Sequence, residues 1–267
     1  MDASECFNPR LFEGEVAVVT GGGSGLGLAI ATGLVACGAE VVITGRSVER
    51  LESAEASVAA RTGRLVSSFP CDVRQVAEVD RLRDFVATRH GGAGIVVNNA
   101  AANFVMPAEK MGHRAFDAVV QTDLYGTFNI TQAFVPEMIE RGRGNILNIT
   151  LPYAERGFPG FAHCGAAKAG IISLTATWAY EWGRYGIRVN AVAPGPVPTQ
   201  GVAVNMLGTD APFASSEKDV PLQRLGRPDD ICGAALFLLS PASSWITGCN
   251  LVVDGGLYLN RSPADGT

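Results

Sequence analysis

A chain of 267 residues carrying a formal charge of −5 has room for one large α/β domain or two small ones. The acidic balance excludes a basic surface for nucleic acid. The six cysteines, at 6, 37, 71, 164, 232 and 249, include no Cys-x-x-Cys pair, so they indicate neither a disulfide framework nor a zinc site and suit a reducing cytoplasm.

Met1–Glu15 reads as a loose lead-in. Apolar runs at Val16–Thr20, Glu40–Thr44, Leu65–Phe69, Ile95–Asn98, Asn145–Thr150, Arg188–Ala193 and Leu251–Val253 predict seven short strands. Helical patterns alternate with them at 25–37, 48–61, 75–89, 113–140, 163–183 and 229–239. That alternation predicts one α/β domain, a doubly wound parallel sheet of seven strands with helices on both faces. Residues 199–221 break the rhythm after Pro194-Gly195-Pro196-Val197-Pro198. An insert at the carboxyl edge of a parallel sheet is where a substrate lid belongs. No stretch is long and apolar enough to span a bilayer, and none resembles a signal peptide, so a cytoplasmic protein is expected.

The chain is organised around Thr20-Gly21-Gly22-Gly23-Ser24-Gly25-Leu26-Gly27, between the first strand and the first helix. A glycine turn at a helix N-terminus presents backbone N–H groups and the positive end of the helix dipole to a phosphate. Gly21, Gly23, Ser24, Gly25 and Leu26 are therefore expected to cradle a dinucleotide. After the second strand, where an acidic residue would hold ribose hydroxyls, the sequence has Gly45-Arg46-Ser47. A carboxylate would repel a 2′-phosphate and an arginine pairs with it, so the expected cofactor is NADP(H), with Arg46 and Ser47 among its ligands. Asp72 and Val73 follow the third strand. Asp72 is read either as an adenine contact or as a cap of the next helix.

The Gly-x-x-x-Gly-x-Gly spacing of Gly21, Gly25 and Gly27 resembles the short-chain dehydrogenase/reductase family. So do Asn98-Asn99-Ala100-Ala101, Lys168, Arg188-Val189-Asn190, Pro194-Gly195, Ile246-Thr247-Gly248 and Asp254-Gly255-Gly256. The resemblance covers about residues 14–258 and implies a single-domain Rossmann-type fold. It adds Asn99, Ala100, Ala101, Lys168, Pro194, Gly195 and Val197 to the cofactor site. It also implies a homotetramer built on helices 113–140 and 163–183 and the C-terminal strand, with Phe134, Trp178, Trp182 and Trp245 supplying apolar surface.

The usual catalytic set of that family is Asn, Ser, Tyr and Lys. Here the tyrosine place, four residues before Lys168, is Cys164; the serine place is Leu151 and the helix asparagine is Asp123. A thiol donates poorly and leucine not at all, so carbonyl reduction lacks its usual proton donor. Ala101-Ala102-Asn103-Phe104, Asp123-x-x-Gly-Thr-Phe128, Thr150-Leu151-Pro152-Tyr153-Ala154-Glu155, His163-x-Gly-x-Ala-Lys168 and Pro221-Leu-x-Arg-Leu-Gly226 resemble segments of the 2,4-dienoyl-CoA reductases. That resemblance implies Asn103 and Tyr153 as donors to a thioester carbonyl and Asp123 as a partner of Lys168 and a water. Asn103, Asp123, Tyr153 and Lys168 are thus the expected catalytic residues. The substrate would be an acyl thioester, free as a small molecule or borne by a carrier protein, reduced at a conjugated carbon–carbon double bond. Two other functions stay open: a carbonyl/alcohol oxidoreductase with a relocated tyrosine, and a non-catalytic NADP-binding subunit. His163 reads as a cap or packing residue. His90 and His113 lack partners at metal spacing and read as solvated, so no metal is expected.

Overall fold

Valine- and isoleucine-rich runs too short to be helices form seven parallel strands: β1 Val16–Thr20, β2 Glu40–Gly45, β3 Ser67–Pro70, β4 Ile95–Asn98, β5 Gly144–Ile149, β6 Ile187–Pro194 and β7 Asn250–Val253. The computed structural model describes residues 2–154, 156–199 and 217–259. The strands form one sheet in the order β3-β2-β1-β4-β5-β6-β7. The order reverses between β1 and β4, and the crevice at their carboxyl ends is where such sheets hold ligands.

Alternate residues of each strand feed opposite faces. Ala17 and Val19 join one core cluster and Val18 the other; Val97 and Leu147 join the first, Val96 and Ile146 the second. The first face packs α1 (Gly25–Ala36), α2 (Val48–Thr62) and α7 (Pro228–Leu239). The second packs α3 (Val76–His90), α5 (Gly126–Arg141) and α6 (Ala162–Trp182). The Arg-Val-Asn segment locks β6 to its neighbours. Arg188 donates to the carbonyls of Leu238, Ser240 and Ile246, capping the C-terminus of α7. Asn190 binds Ile246 O and Cys249 N.

Four expectations change. The lead-in is not loose: Ala3–Cys6 forms a 3₁₀ turn capped by Asp2, and Phe12 is buried in the core. The third strand begins at Ser67, leaving Leu65 exposed. The predicted helix 113–140 is α4 (His113–Val120) and α5 joined by a π-helical turn over Gln121–Tyr125. Finally, Phe134, Trp178 and Trp182 supply no surface. All three are buried, and the two tryptophans stack with centroids 5.2 Å apart. Helix α6 is apolar on nearly every face, so sequence alone could not assign its inner side. Trp245, and Tyr180 on α6, are the most exposed aromatics among the described residues, at 98% and 91%. The suggested lid 199–221 falls, over residues 200–216, outside the described residues.

The glycine turn is held by Thr20 at the end of β1. Its hydroxyl accepts the N–H groups of Asn99 and Ala100, each at 2.9 Å. Asn99 returns the contact, donating from Nδ2 to Thr20 O at 2.9 Å and Gly21 O at 3.3 Å. Gly21 adopts φ +64°, a left-handed value that favours glycine. At Gly27 a Cβ would collide with Asn99 Nδ2 and the Gly21 carbonyl, so the helix can start this close only without a side chain. Thr20→Val keeps the shape but strands two backbone donors. It should lower the unfolding free energy by about 2 kcal/mol, read from the urea midpoint at constant slope.

Candidate active site

Above the carboxyl edge lies a cavity of about 900 Å³. Every residue named from the sequence as catalytic or cofactor-binding lines it. The glycine turn and Ser24 are at one end, Arg46, Ser47, Asp72 and Val73 beside them, and Asn103, Asp123, Tyr153 and Lys168 at the other. Cavity residues that the sequence reading left out include Arg50, Cys71, Ile149, Phe161, Thr199 and Leu225. Arg50 carried a readable signal: it lies in the first turn of α2, directly after Arg46-Ser47.

At the phosphate end, the side chain of Ser24 makes no cap bond to α1, so the leading N–H groups of that helix face the cavity uncapped by a side chain. Ser47 caps α2 by accepting from Arg50 N. Arg46 and Arg50 are exposed on this rim. Asp72 does not cap α3, which starts after Gln75. Hydrogen bonds from the Arg74 guanidinium hold its carboxyl below the usual range, with the charge of Arg46 adding to the effect. The cradle, the paired cations and the cavity volume fit a nicotinamide dinucleotide. Asn99, by contrast, has its amide turned to the glycine turn.

At the other end, Lys168 and Asp123 form a buried ion pair, Nζ to Oδ2 at 3.2 Å, with side chains 7% and 0% exposed. Lys168 directs its hydrogen bond to Ile149 O at 2.9 Å, so Oδ2 is a charge partner that makes no well-aligned hydrogen bond. Oδ1 accepts from Ala102 N at 2.7 Å. The π-helical turn aims Asp123 inward, since a widened turn displaces side chains from the regular helical phase. Cys164, one turn before Lys168 on α6, is buried, and burial pushes its thiol up to about 11. Leu151, Phe161 and Cys164 belong to a small apolar cluster with Ala102, Phe104, Val105, Val119 and Phe158.

The polar side chains left facing this end are few. Thr122 and Thr150 line the cavity, but their hydroxyls donate to Ala118 O at 2.8 Å and Asn250 Oδ1 at 2.7 Å. Asn103 has a buried Oδ1 with no hydrogen-bond partner among the described residues. An amide turns over easily, so the bound group decides which end faces it. Tyr153 is half-buried; burial chiefly, and the charge of Asp254, push its phenol up, while Arg156 opposes. It is a protonated donor throughout the neutral range. His163 is a packing residue. It is wholly buried edge-on to Phe104 at 4.5 Å, accepts from Cys164 N, and burial lowers its pKa. His90 is not simply solvated, because its Nδ1 meets Glu40 Oε2 at 3.0 Å.

Two outcomes follow from this arrangement. At pH 7.5 iodoacetamide should alkylate the exposed Cys6 and leave Cys164 unmodified in peptide mass spectra. Asp123→Ala leaves Lys168 buried and unpaired, and should lower the unfolding free energy by about 3–5 kcal/mol in a denaturant titration.

A family model described as enoyl-(acyl carrier protein) reductase matches residues 21–258. A probable 2,4-dienoyl-CoA reductase [(2E)-enoyl-CoA-producing] of Bacillus subtilis (strain 168) is 39% identical over 253 residues, spanning 94% of this chain and 99% of that protein. The peroxisomal 2,4-dienoyl-CoA reductase [(3E)-enoyl-CoA-producing] of Danio rerio is 38% identical over 270 residues, spanning 98% and 90%. Among solved structures, levodione reductase superposes with a TM-score of 0.88 at 33% identity over 94% of this chain and all of that one. A gluconate 5-dehydrogenase from Burkholderia cenocepacia J2315, in complex with NADP and tartrate, gives 0.85 at 35% identity, covering 93% and 97%.

Proposed function

The chain belongs to the short-chain dehydrogenase/reductase family, and from that premise we propose that it is an NADPH-dependent reductase of 2,4-dienoyl- or enoyl-thioesters. The observation that carries this is the cavity's donor set. Leu151 and Cys164 stand where the family's hydroxyl donors would be, while Tyr153 and Asn103 line the same cavity with neutral polar ends. Its relatives named as 2,4-dienoyl-CoA reductases support a CoA thioester as substrate.

A nicotinamide cofactor, held by the glycine turn, Arg46 and Lys168, would supply a hydride to the electrophilic end of the conjugated system. Negative charge then develops on the thioester oxygen. The Tyr153 hydroxyl and the Asn103 amide donate to that oxygen, stabilising the enolate without a proton transfer to it. Lys168 would hold the nicotinamide ribose and add positive potential to the site. A water held by the Asp123–Lys168 pair would give a proton to carbon and be restored by the Lys168 ammonium, which regains its proton from solvent. Protonation at the α-carbon leaves a 3-enoyl product and at the γ-carbon a 2-enoyl product. Leu151, Phe161 and Cys164 form the dry wall that keeps this chemistry from bulk water.

The six cysteines form no disulfide, which suits a reducing compartment such as the cytoplasm. No helix among the described residues is long and apolar enough to cross a membrane. Trp245 and Tyr180 offer apolar area to a homotetramer, whose mass light scattering would read.

Two experiments test the function. NADPH should bind about ten- to hundredfold more tightly than NADH by calorimetry, the worth of a charge-assisted contact, and Arg46→Ala should erase most of that preference. Equal affinities in the wild type would remove the NADP assignment. Tyr153→Phe should lower kcat on a dienoyl thioester about a hundredfold, as expected for one oxyanion donor, and leave NADPH affinity unchanged. Reduction of simple ketones to alcohols, with no turnover of any conjugated thioester, would refute the proposal.

A further inference from the structure

Tyr153 is gripped from outside the cavity by two segments far apart in the chain. We infer that Arg156 and Tyr258 are positioning residues for Tyr153, which makes the C-terminal turn a working part of the acyl-thioester site. This rests on Tyr153 being the oxyanion donor proposed above.

The turn begins where β7 ends. Asp254 accepts from Gly256 N at 2.8 Å and from Tyr258 N at 2.6 Å, folding the chain back into a 3₁₀ turn over Leu257–Leu259. This brings the Tyr258 ring to 6.4 Å from the Tyr153 ring, centroid to centroid and tilted by 44°. Phe158, from the same loop as Tyr153, approaches to 5.2 Å. Among the described residues the phenol thus has an aromatic neighbour from its own loop and another from the far end of the chain.

Arg156 fastens the distant one. Its Nη1 donates to Tyr258 O at 2.8 Å, and its guanidinium carbon lies 3.7 Å from the centroid of the Tyr258 ring. A planar guanidinium can make the in-plane hydrogen bond and cover the ring at once, which a lysine ammonium cannot. Arg156 is itself tied to Tyr153, because its N–H and that of Gly157 donate to Tyr153 O at 3.1 and 3.0 Å. The circuit thus leaves Tyr153 through its backbone, crosses to Tyr258 through Arg156, and returns to Tyr153 ring to ring. A tyrosine hydroxyl is aimed by two side-chain torsions, and rings packed beside it restrict both. The same clasp sets the charges of Arg156 and Asp254 near the phenol.

The test is a double-mutant cycle in the full-length protein with NADPH and 2,4-hexadienoyl-CoA. Arg156→Ala should lower kcat about tenfold, in keeping with the sensitivity of rate to small misplacements. KM and the NADPH dissociation constant, read by fluorescence, should stay within about twofold. In the Tyr153→Phe background, Arg156→Ala should have no further effect. Tyr258→Leu removes the ring but keeps the Arg156 bond to the backbone carbonyl at 258, and should repeat both results if Arg156→Ala depresses the thermal midpoint. An unchanged kcat in either single variant overturns the inference. So does an equal loss in both backgrounds, and in that case Tyr153 keeps its proposed role. If Tyr153→Phe alone leaves kcat intact, the donor role of Tyr153 falls and the clasp falls with it.

Discussion

A lysine and an aspartate face each other in a place almost without water, and the rest of the site is built around that fact. Removing two charges from solvent costs several kcal/mol per ion, which mutual attraction offsets only with further bonds in place. Here Ile149 O accepts a hydrogen bond from the ammonium and Ala102 N donates one to the carboxylate. The ion pair therefore joins four elements: the end of β5, helix α6, the π-helical turn and the loop after β4. Moving any one of them would strand a buried charge. That is why Asn103, one residue beyond Ala102, and Leu151, two beyond Ile149, stand at fixed distances from Lys168.

The Thr20 hydroxyl and the Asn99 amide do at the phosphate end what the ion pair does at the other. Each uses short polar groups to hold a loop that backbone pairing alone would leave open. Both fasten the segment that leaves β4, residues 98–103, so the two halves of the cavity share one wall. On the proposed reading, a dinucleotide lying along that wall would have its phosphates set by the first clasp and its nicotinamide by the second.

Much of this was legible in the sequence, and the reasons are physical. Strands buried on both faces read as short Val/Ile runs, and glycines crowded at a strand–helix junction leave backbone N–H groups open to a phosphate. Most proposed site residues lie just past a strand's carboxyl end, and a doubly wound sheet gathers such positions in one crevice; Asp123 and Lys168 reach it from the π-helical turn and from α6. What stayed hidden depends on contacts across the chain. The stacking of Arg156 on Tyr258 links distant residues and leaves no local pattern, and the partnership of Asp123 with Lys168 was legible only through the family resemblance. Trp178 and Trp182 misled because α6 is apolar all round, so periodicity marks no inner face. The π-helical turn has no sequence mark either, since Gln121-Thr122-Asp123-Leu124-Tyr125 would suit an ordinary helix.

That turn has a consequence for how the protein can vary. A regular helix is one rigid rotor, in which a residue gained or lost turns everything beyond it by about 100°. The widened turn between α4 and α5 acts as a slip joint. Below it, α5 is phased to the sheet through Ile130, Phe134 and Met138. Above it, α4 is phased to the small apolar cluster through Val119. The two phases are set independently, so the half of the rod beside the acyl pocket can be re-cut in evolution while the half that carries the sheet stays in register.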